Sequence, residues 1–258
     1  MATQRKHKRR ERRQNGRLFH LYIILSALLI LGAVVAGSVV FFKAHTFEVE
    51  GNRRYSQEEL LEASGIRDGE NLITIPRREI EKRMEAELPY LKKVTIHLWP
   101  PERVVITVEE TTPAAALESE GTVWYLDSSG KLLERVEQNE GYPAVTGLTL
   151  LAPSEGTFLA VSEEEELKAK GLRGLLAALE ERELLDQVQF IDLTSGSSVS
   201  MGYENRLTVK MGLNDDFGYD LKMLQAAEEQ YIRDNWSDSD TGTLDMTKRD
   251  GEAVLSKD

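Results

Sequence analysis

An α+β fold carried on a single N-terminal transmembrane helix is what this sequence predicts, and three observations predict it. Residues 21–42 form an apolar run without one charge. Behind it, over residues 47–110, the hydrophobic period alternates between 2 and about 3.6 in the order β-α-α-β-β. From residue 112 onward short alternating segments dominate, interrupted by two amphipathic stretches, as in a larger, mixed, mostly antiparallel β domain with packed helices. With no cysteine among 258 residues, disulfides, thiolate nucleophiles and Cys-ligated zinc are excluded.

Charge divides about the apolar run. Residues 1–20 hold eight basic side chains against Glu11, a net of +7, whereas residues 43–258 carry 24 basic against 43 acidic groups, a net of -19. Rising about 1.5 Å per residue, a helix over Leu21–Phe42 is roughly 33 Å long, enough for a bilayer core of roughly 30 Å. Val34-Val35-Ala36 is a passable signal-peptide cleavage site, but the run is longer than the usual apolar region of about 7–15 residues. Because Lys and Arg beside a span stay cytoplasmic, the expected topology is N-terminus inside and C-terminus extracytoplasmic in the plasma membrane. The basic tail suits anionic lipid, and with Phe19 as its one aromatic it makes no case for nucleic acid. Within the span, Gly32, Ala33, Ala36 and Gly37 would let another helix approach closely, although small residues are frequent in membrane helices in any case.

Phe47–Gly51 alternates as a half-buried strand. Ser56-x-x-Glu59 then forms a capping box before Leu60 and Leu61, and Gly65 stands where a C-cap belongs, so a helix of about two turns is expected. After an Asp68-Gly69 turn and a Leu72-Ile73 anchor, Ile80, Met84, Leu88 and Leu91 define the stripe of a second helix. Val94, Ile96 and Leu98, then Val104, Ile106 and Val108, alternate along two strands joined by Trp99-Pro100-Pro101. That turn reads first as a rigid connection, since two prolines fix φ and remove donors; an exposed Trp99 anchoring a partner is the other reading.

Val49-Glu50-Gly51-Asn52, Gly69-x-Asn71-Leu72, Leu88-Pro89-Tyr90-Leu91-Lys92-Lys93-Val94 and Leu98-Trp99-Pro100 through Val108-Glu109-Glu110 together resemble the POTRA domain of the FtsQ/DivIB bacterial cell-division family. Farther on, Leu126-Asp127-x-x-Gly130 and Pro143-x-Val145-x-Gly147 are similar to hairpin elements of that family's second domain. The resemblance implies a basic tail at 1–20, a span at 21–42, a POTRA-like domain at 44–111 and an FtsQ/DivIB-type β domain at 112–258.

In that β domain, Ser162-x-x-Glu165 reads as a second capping box, opening a helix with Leu172, Leu175, Leu176 and Leu179. Strands follow at Val188–Leu193, Ser198–Gly202 and Leu207–Met211, then a helix with Phe217, Leu221, Leu224 and Tyr231. A closing strand pair is expected at Thr243–Thr247 and Glu252–Leu255. Leu244-Asp245-Met246 and Gly251-x-Ala253-Val254 are similar to the family's terminal strands, the last of which pairs with the FtsB/DivIC coiled-coil protein. Carried over position by position, the resemblance implicates Thr247, Lys248, Asp250, Gly251, Glu252, Val254 and Ser256. No aromatic stands near Ser256, which departs from the family.

No catalytic motif stands out. The Glu163–Glu166 run reads as a solvated helix start, because adjacent helical residues do not face a common point. The polar stretch 234–242 lacks the acid and glycine spacing of a calcium loop, and His7, His20, His45 and His97 are isolated. A carboxylate pair acting on wall glycan stays open on composition, although nothing singles out a pair. A POTRA transport or assembly module, the competing binding reading, would need tandem repeats and a transmembrane barrel, and the 258 residues show neither pattern. The resemblance implies instead a scaffold without enzymatic activity or cofactor, bound to the FtsL and FtsB/DivIC pair at the division septum and helping to control septal wall synthesis.

Overall fold

The computed structural model describes residues 4–213, 216–232, 235–237, 240–247 and 253–257. Helix α1, Gln4–Phe41, is continuous, and its Phe19–Ser38 portion has a mean hydropathy of 2.4 with none of it buried in the protein. It is the one helix among the described residues long and apolar enough to cross a membrane.

Strand β1 (Thr46–Glu50) follows, then α2 (Gln57–Ser64), α3 (Arg77–Glu87), β2 (Leu91–Trp99) and β3 (Arg103–Glu110). The strands make a sheet ordered β1-β3-β2, with β1 parallel and β2 antiparallel to β3. Both helices cover one face, burying Leu60, Leu72, Ile80, Met84, Leu91, Ile96 and Ile106 in one core. Each such side chain stabilises the fold by about 1.5–3 kcal/mol through lost apolar surface.

The capping box of α2 is formed. Glu59 N donates to Ser56 Oγ at 3.2 Å, Ser56 N donates to the Glu59 carboxylate at 2.8 Å, and Gly65 closes the helix at φ 65°. Gly51 has φ 88°, and a Cβ there would lie 2.1 Å from Val108 O, so only glycine lets the chain turn this close to β3. Two expectations need correction. Helix α3 stops at Glu87, and Leu91 belongs to β2, because Pro89 cannot continue a helix and pushes Leu88 to an extended φ of -114°. In the Leu72-Ile73 pair Leu72 alone anchors, while Ile73 is 62% exposed.

The second sheet has nine strands. They are β4 (Ala115–Ser119), β5 (Thr122–Leu126), β6 (Leu132–Val136), β7 (Ala144–Thr146), β8 (Val188–Asp192), β9 (Ser198–Tyr203), β10 (Leu207–Gly212), β11 (Gly242–Asp245) and β12 (Val254–Lys257). Their order is β12-β11-β10-β9-β8-β7-β4-β5-β6, with antiparallel pairs in the majority and parallel ones at β10/β11, β7/β8 and β4/β7. Helices α4 (Glu166–Glu181) and α5 (Phe217–Ala227) contribute to a single core, into which α4 buries Leu172, Leu175, Leu176 and Leu179. Tyr231 falls in a π turn, Glu228–Ile232, that continues α5.

Ser162 does not cap α4, which corrects the second capping box. The Glu165 N–H bonds to the Ser162 carbonyl at 3.0 Å as a separate turn, the helix starts at Glu166, and the Glu165 carboxylate accepts from Thr149 N at 3.1 Å. A long-range donor has won over the local cap.

The two sheets meet at a polar joint around a small aromatic cluster of Tyr90, Tyr125, Ala116 and Leu133. Tyr90 Oη donates to Glu134 at 2.5 Å, and the Arg54 guanidinium lies 3.6 Å from the Tyr90 ring centre. Lys131, 5% exposed, reaches across to donate to Glu85 O at 2.5 Å and Leu91 O at 2.9 Å. Burial lowers its pKa from the ordinary lysine value, opposed by Asp127 and Glu85.

Candidate partner-binding edge

The nine-stranded sheet ends differently on its two sides. At the β6 side, Leu132 N donates to Thr157 O and Gly156 N to Leu132 O, each at 2.8 Å, so a following segment covers the start of the strand. At the other side β12 pairs with β11 alone, in the register Gly242↔Lys257, Thr243↔Ser256, Leu244↔Leu255 and Asp245↔Val254. In an antiparallel ladder alternate residues direct their N–H and C=O toward the same neighbour. The intervening residues of β12 therefore point theirs outward, and among the described residues no strand meets them.

Side chains hold β12 in place. Leu255 packs against the core, and Lys257 Nζ lies 2.5 Å from the Asp240 carboxylate and 5.8 Å from the centre of the Trp236 ring. Asp240 also accepts from Ser237 N at 2.7 Å. Hydrogen bonding, first from Lys257 and then from Ser237, holds its carboxyl below the ordinary aspartate range. A Cβ at Gly242 would meet Trp236 at 2.3 Å and Ser256 O at 2.4 Å, so only glycine lets β11, β12 and the indole converge.

Two rows of side chains cross the opposite face of this corner. Register aligns Thr208, Thr243 and Ser256 in one row and Ser200, Lys210, Asp245 and Val254 in the other. Val254 is 39% exposed, and Ser256 Oγ donates to Thr243 O at 3.4 Å. Near the start of β10, Arg206 pairs with Glu204 at 2.9 Å and Glu228 at 3.5 Å, and Tyr203 Oη donates to Glu228 at 3.3 Å.

Of the expected contact residues, Thr247, Val254 and Ser256 are described, whereas Lys248, Asp250, Gly251 and Glu252 lie outside the described residues. Thr247 closes the turn after β11, its N and Oγ1 donating to Asp245 Oδ1 at 2.9 and 2.7 Å. Gly32, Ala33, Ala36 and Gly37 lie on the apolar part of α1, and a Cβ on Gly32 or Gly37 would meet nothing within 4 Å. Sequence reasoning missed the Asp240–Lys257–Trp236 pin, Lys131, and Glu110, whose carboxylate accepts from the N–H groups of Arg53, Arg54 and Tyr55 at 2.8–3.1 Å. Glu110 ends a motif quoted above and Lys131 directly follows another, but their partners are too distant in the chain to be read from it.

Fold and edge define a class: a protein with one N-terminal helix apolar enough to span a membrane, a small β-α-α-β-β unit and a large sheet ending on an open strand. The family model for the POTRA domain, FtsQ-type, matches residues 42–111. The cell division protein FtsQ of Syntrophotalea carbinolica is 30% identical over 214 residues, covering 77% of this chain and 73% of that protein. The cell division protein DivIB of Clostridium tetani is 17% identical over 186 residues, covering 72% and 69%. The chain belongs to the FtsQ/DivIB family of bacterial cell-division proteins. A solved structure of the major extracytoplasmic domain of DivIB from Geobacillus stearothermophilus, trans isomer, aligns with 50% of this chain and 99% of its own, at 14% identity and a TM-score of 0.31.

Proposed function

We propose that this chain is a non-enzymatic scaffold of the division machinery, with 44–111 and 112–258 as its two extracytoplasmic domains. Helix α1 crosses the plasma membrane with the basic tail in the cytoplasm, since Lys and Arg flanking a span are retained there. Outside, at the septum, β12 accepts a strand from an FtsB/DivIC-type partner that is coiled to an FtsL-type protein, and holding this pair helps control septal wall synthesis. Thr247, Lys248, Asp250, Gly251, Glu252, Val254 and Ser256 form the contact, and Gly32, Ala33, Ala36 and Gly37 are a packing face for a partner's membrane helix. One observation carries the edge assignment: β12 is open on its outer side among the described residues, while the other end of the sheet is covered where β6 begins, at Leu132. In β-augmentation the main chain supplies affinity and alternate side chains supply register, and the two rows described above, ending at Ser256 and Val254, would continue onto the added strand.

Adjacent residues of β12 direct their N–H groups to opposite sides, so proline at Leu255 and at Ser256, in separate full-length variants, tests this. One variant loses an outward donor and the other a donor to β11. Gly242 N and Met246 N donate toward β10, so Thr243 and Asp245 face β12 and the outward N–H is that of Leu255. We expect Leu255→Pro to melt as Leu255→Ala does, since both lose the same apolar packing, yet to bind the extracytoplasmic FtsB/DivIC segment about 10-fold more weakly than Leu255→Ala, as loss of one backbone bond of about 1.4 kcal/mol implies. Equal affinity of Leu255→Pro and Leu255→Ala would put the partner surface elsewhere.

A further inference from the structure

We propose that the Trp99-Pro100-Pro101 turn, together with Ile73, is a lipid-contacting foot that seats the three-stranded sheet in the headgroup region of the membrane crossed by α1. The inference rests on α1 being a span. It concerns a surface at the opposite pole of the sheet from the joint with the second sheet, and it does not involve β12.

Trp99 ends β2 and is 61% exposed, whereas Trp124 is buried and Trp236 is partly covered by the β11/β12 corner. Ile73 is exposed to the same degree. Both are tied to the few residues that leave α1. Leu72 N donates to Phe42 O at 3.0 Å and Asn71 Nδ2 to Ser38 O at 3.5 Å, while Asn71 Oδ1 accepts from Ile73 N at 2.9 Å. On the other side, His45 N and Thr46 N donate to Glu102 O at 2.9 and 3.1 Å, and Arg103 is in register with both Thr46 and Trp99.

Topology therefore fixes which pole faces the bilayer. β1 leaves the membrane side at Thr46, while β2 starts at the joint with Leu91 and runs back to Trp99. The apolar run ends at Phe42 and the first charge is Lys43. At about 3.3 Å per extended residue, Thr46 lies no more than roughly 13 Å beyond Phe42. Headgroup regions add roughly 5–8 Å to each side of the hydrocarbon, so an indole on this turn can reach them.

Tryptophan is enriched at that depth because its ring is apolar and its N–H is polar. The surrounding charges are mixed, with Lys43, His45 and Arg103 against Glu48, Asp68, Glu70 and Glu102, and Arg103 is itself 3.6 Å from Glu48. The chemistry is thus interfacial partition of Trp and Ile into phospholipid, without a basic patch selecting anionic heads. A cleft of about 400 Å³ between Thr46, Trp99, Pro101 and Arg103 leaves room for a headgroup beside the ring.

The test uses the full chain in phosphatidylcholine vesicles with and without lipid spin-labelled near the headgroup, reading tryptophan emission of wild type, Trp99→Phe and Trp236→Phe. The expected result is quenching by the labelled lipid that is lost in W99F and retained in W236F, and that does not change with salt. Emission of Trp99 quenched by aqueous acrylamide but not by labelled lipid overturns the foot and favours a protein anchor instead. A chain that fails to float with the vesicles overturns the span and the foot together, and flotation keeps that failure distinct from the first.

Discussion

Glu228 lies with Glu204 beside Arg206, under the Tyr203 hydroxyl. Burial, and next the Glu204 charge, raise its carboxyl above the ordinary glutamate value of 4.5, while Tyr203 and Arg206 act in the opposite direction. A raised folded value means the folded chain holds this proton more tightly than the unfolded one. That contribution to stability is complete below 4.5 and is lost as pH rises through the folded value. Glu228→Gln stays neutral throughout, so its melting temperature relative to wild type should be higher at pH 7 than at pH 4. Melting curves at the two pH values check this, and a larger relative gain at pH 4 would refute it. At this scale legibility follows sequence distance. Ser56 and Glu59 cap each other three residues apart, and the pair was readable; Ser162 and Glu165 have the same spacing, but Thr149 N claims the carboxylate. Lys131 answers carbonyls at 85 and 91, which no local pattern announces.

Elements were legible where a stripe is long. The leucines of α4 and the alternation of β2, β3 and β10 define their own faces, whereas Leu91 fitted the stripe of α3 and belongs to β2 because one proline intervenes. Strand β12 is the hardest case: it is four residues long, and much of its support comes from Asp240 and Trp236 in a preceding polar loop. Short edge strands bearing lysine resist adventitious pairing, so the pin on Lys257 has to keep the strand formed without covering its outer side. Asp240 titrates below the usual aspartate range, so its contribution is present above the unfolded value of 3.8 and is lost as pH falls through the folded one. Asp240→Asn should therefore speed amide hydrogen exchange of residues 254–257 at pH 7 and make little difference at acid pH. Unchanged exchange at pH 7 would mean that Leu255 alone holds the strand.

For the whole molecule, the question is how two separate cores behave as one body. One core lies under α2 and α3 and the other under α4 and α5, and the apolar contact between them is the small cluster around Tyr90 and Tyr125. Such a cluster is modest beside either core, so the polar bonds crossing it decide the coupling. Lys131 caps two carbonyls, of which that of Leu91 is buried, and leaving a buried acceptor unpaired costs about 1–3 kcal/mol. Tyr90 adds a hydroxyl bond to Glu134 under the Arg54 guanidinium. Lys92 and Ser128 both bond to Glu180 at the margin, but the exposed Lys92 pair is worth less. Chains with two cores unfold in one step only while their interface is stronger than the difference between them. Scanning calorimetry of the full chain in detergent should give one transition for wild type and two for Lys131→Met combined with Tyr90→Phe. The lower transition should be accompanied by loss of protection on one sheet alone. A single transition merely shifted downward would show that the apolar cluster and the connection from Glu110 into β4 suffice to couple the sheets. In that case the distance from the membrane foot to β12 is fixed by the chain path, and the polar joint sets only its stability.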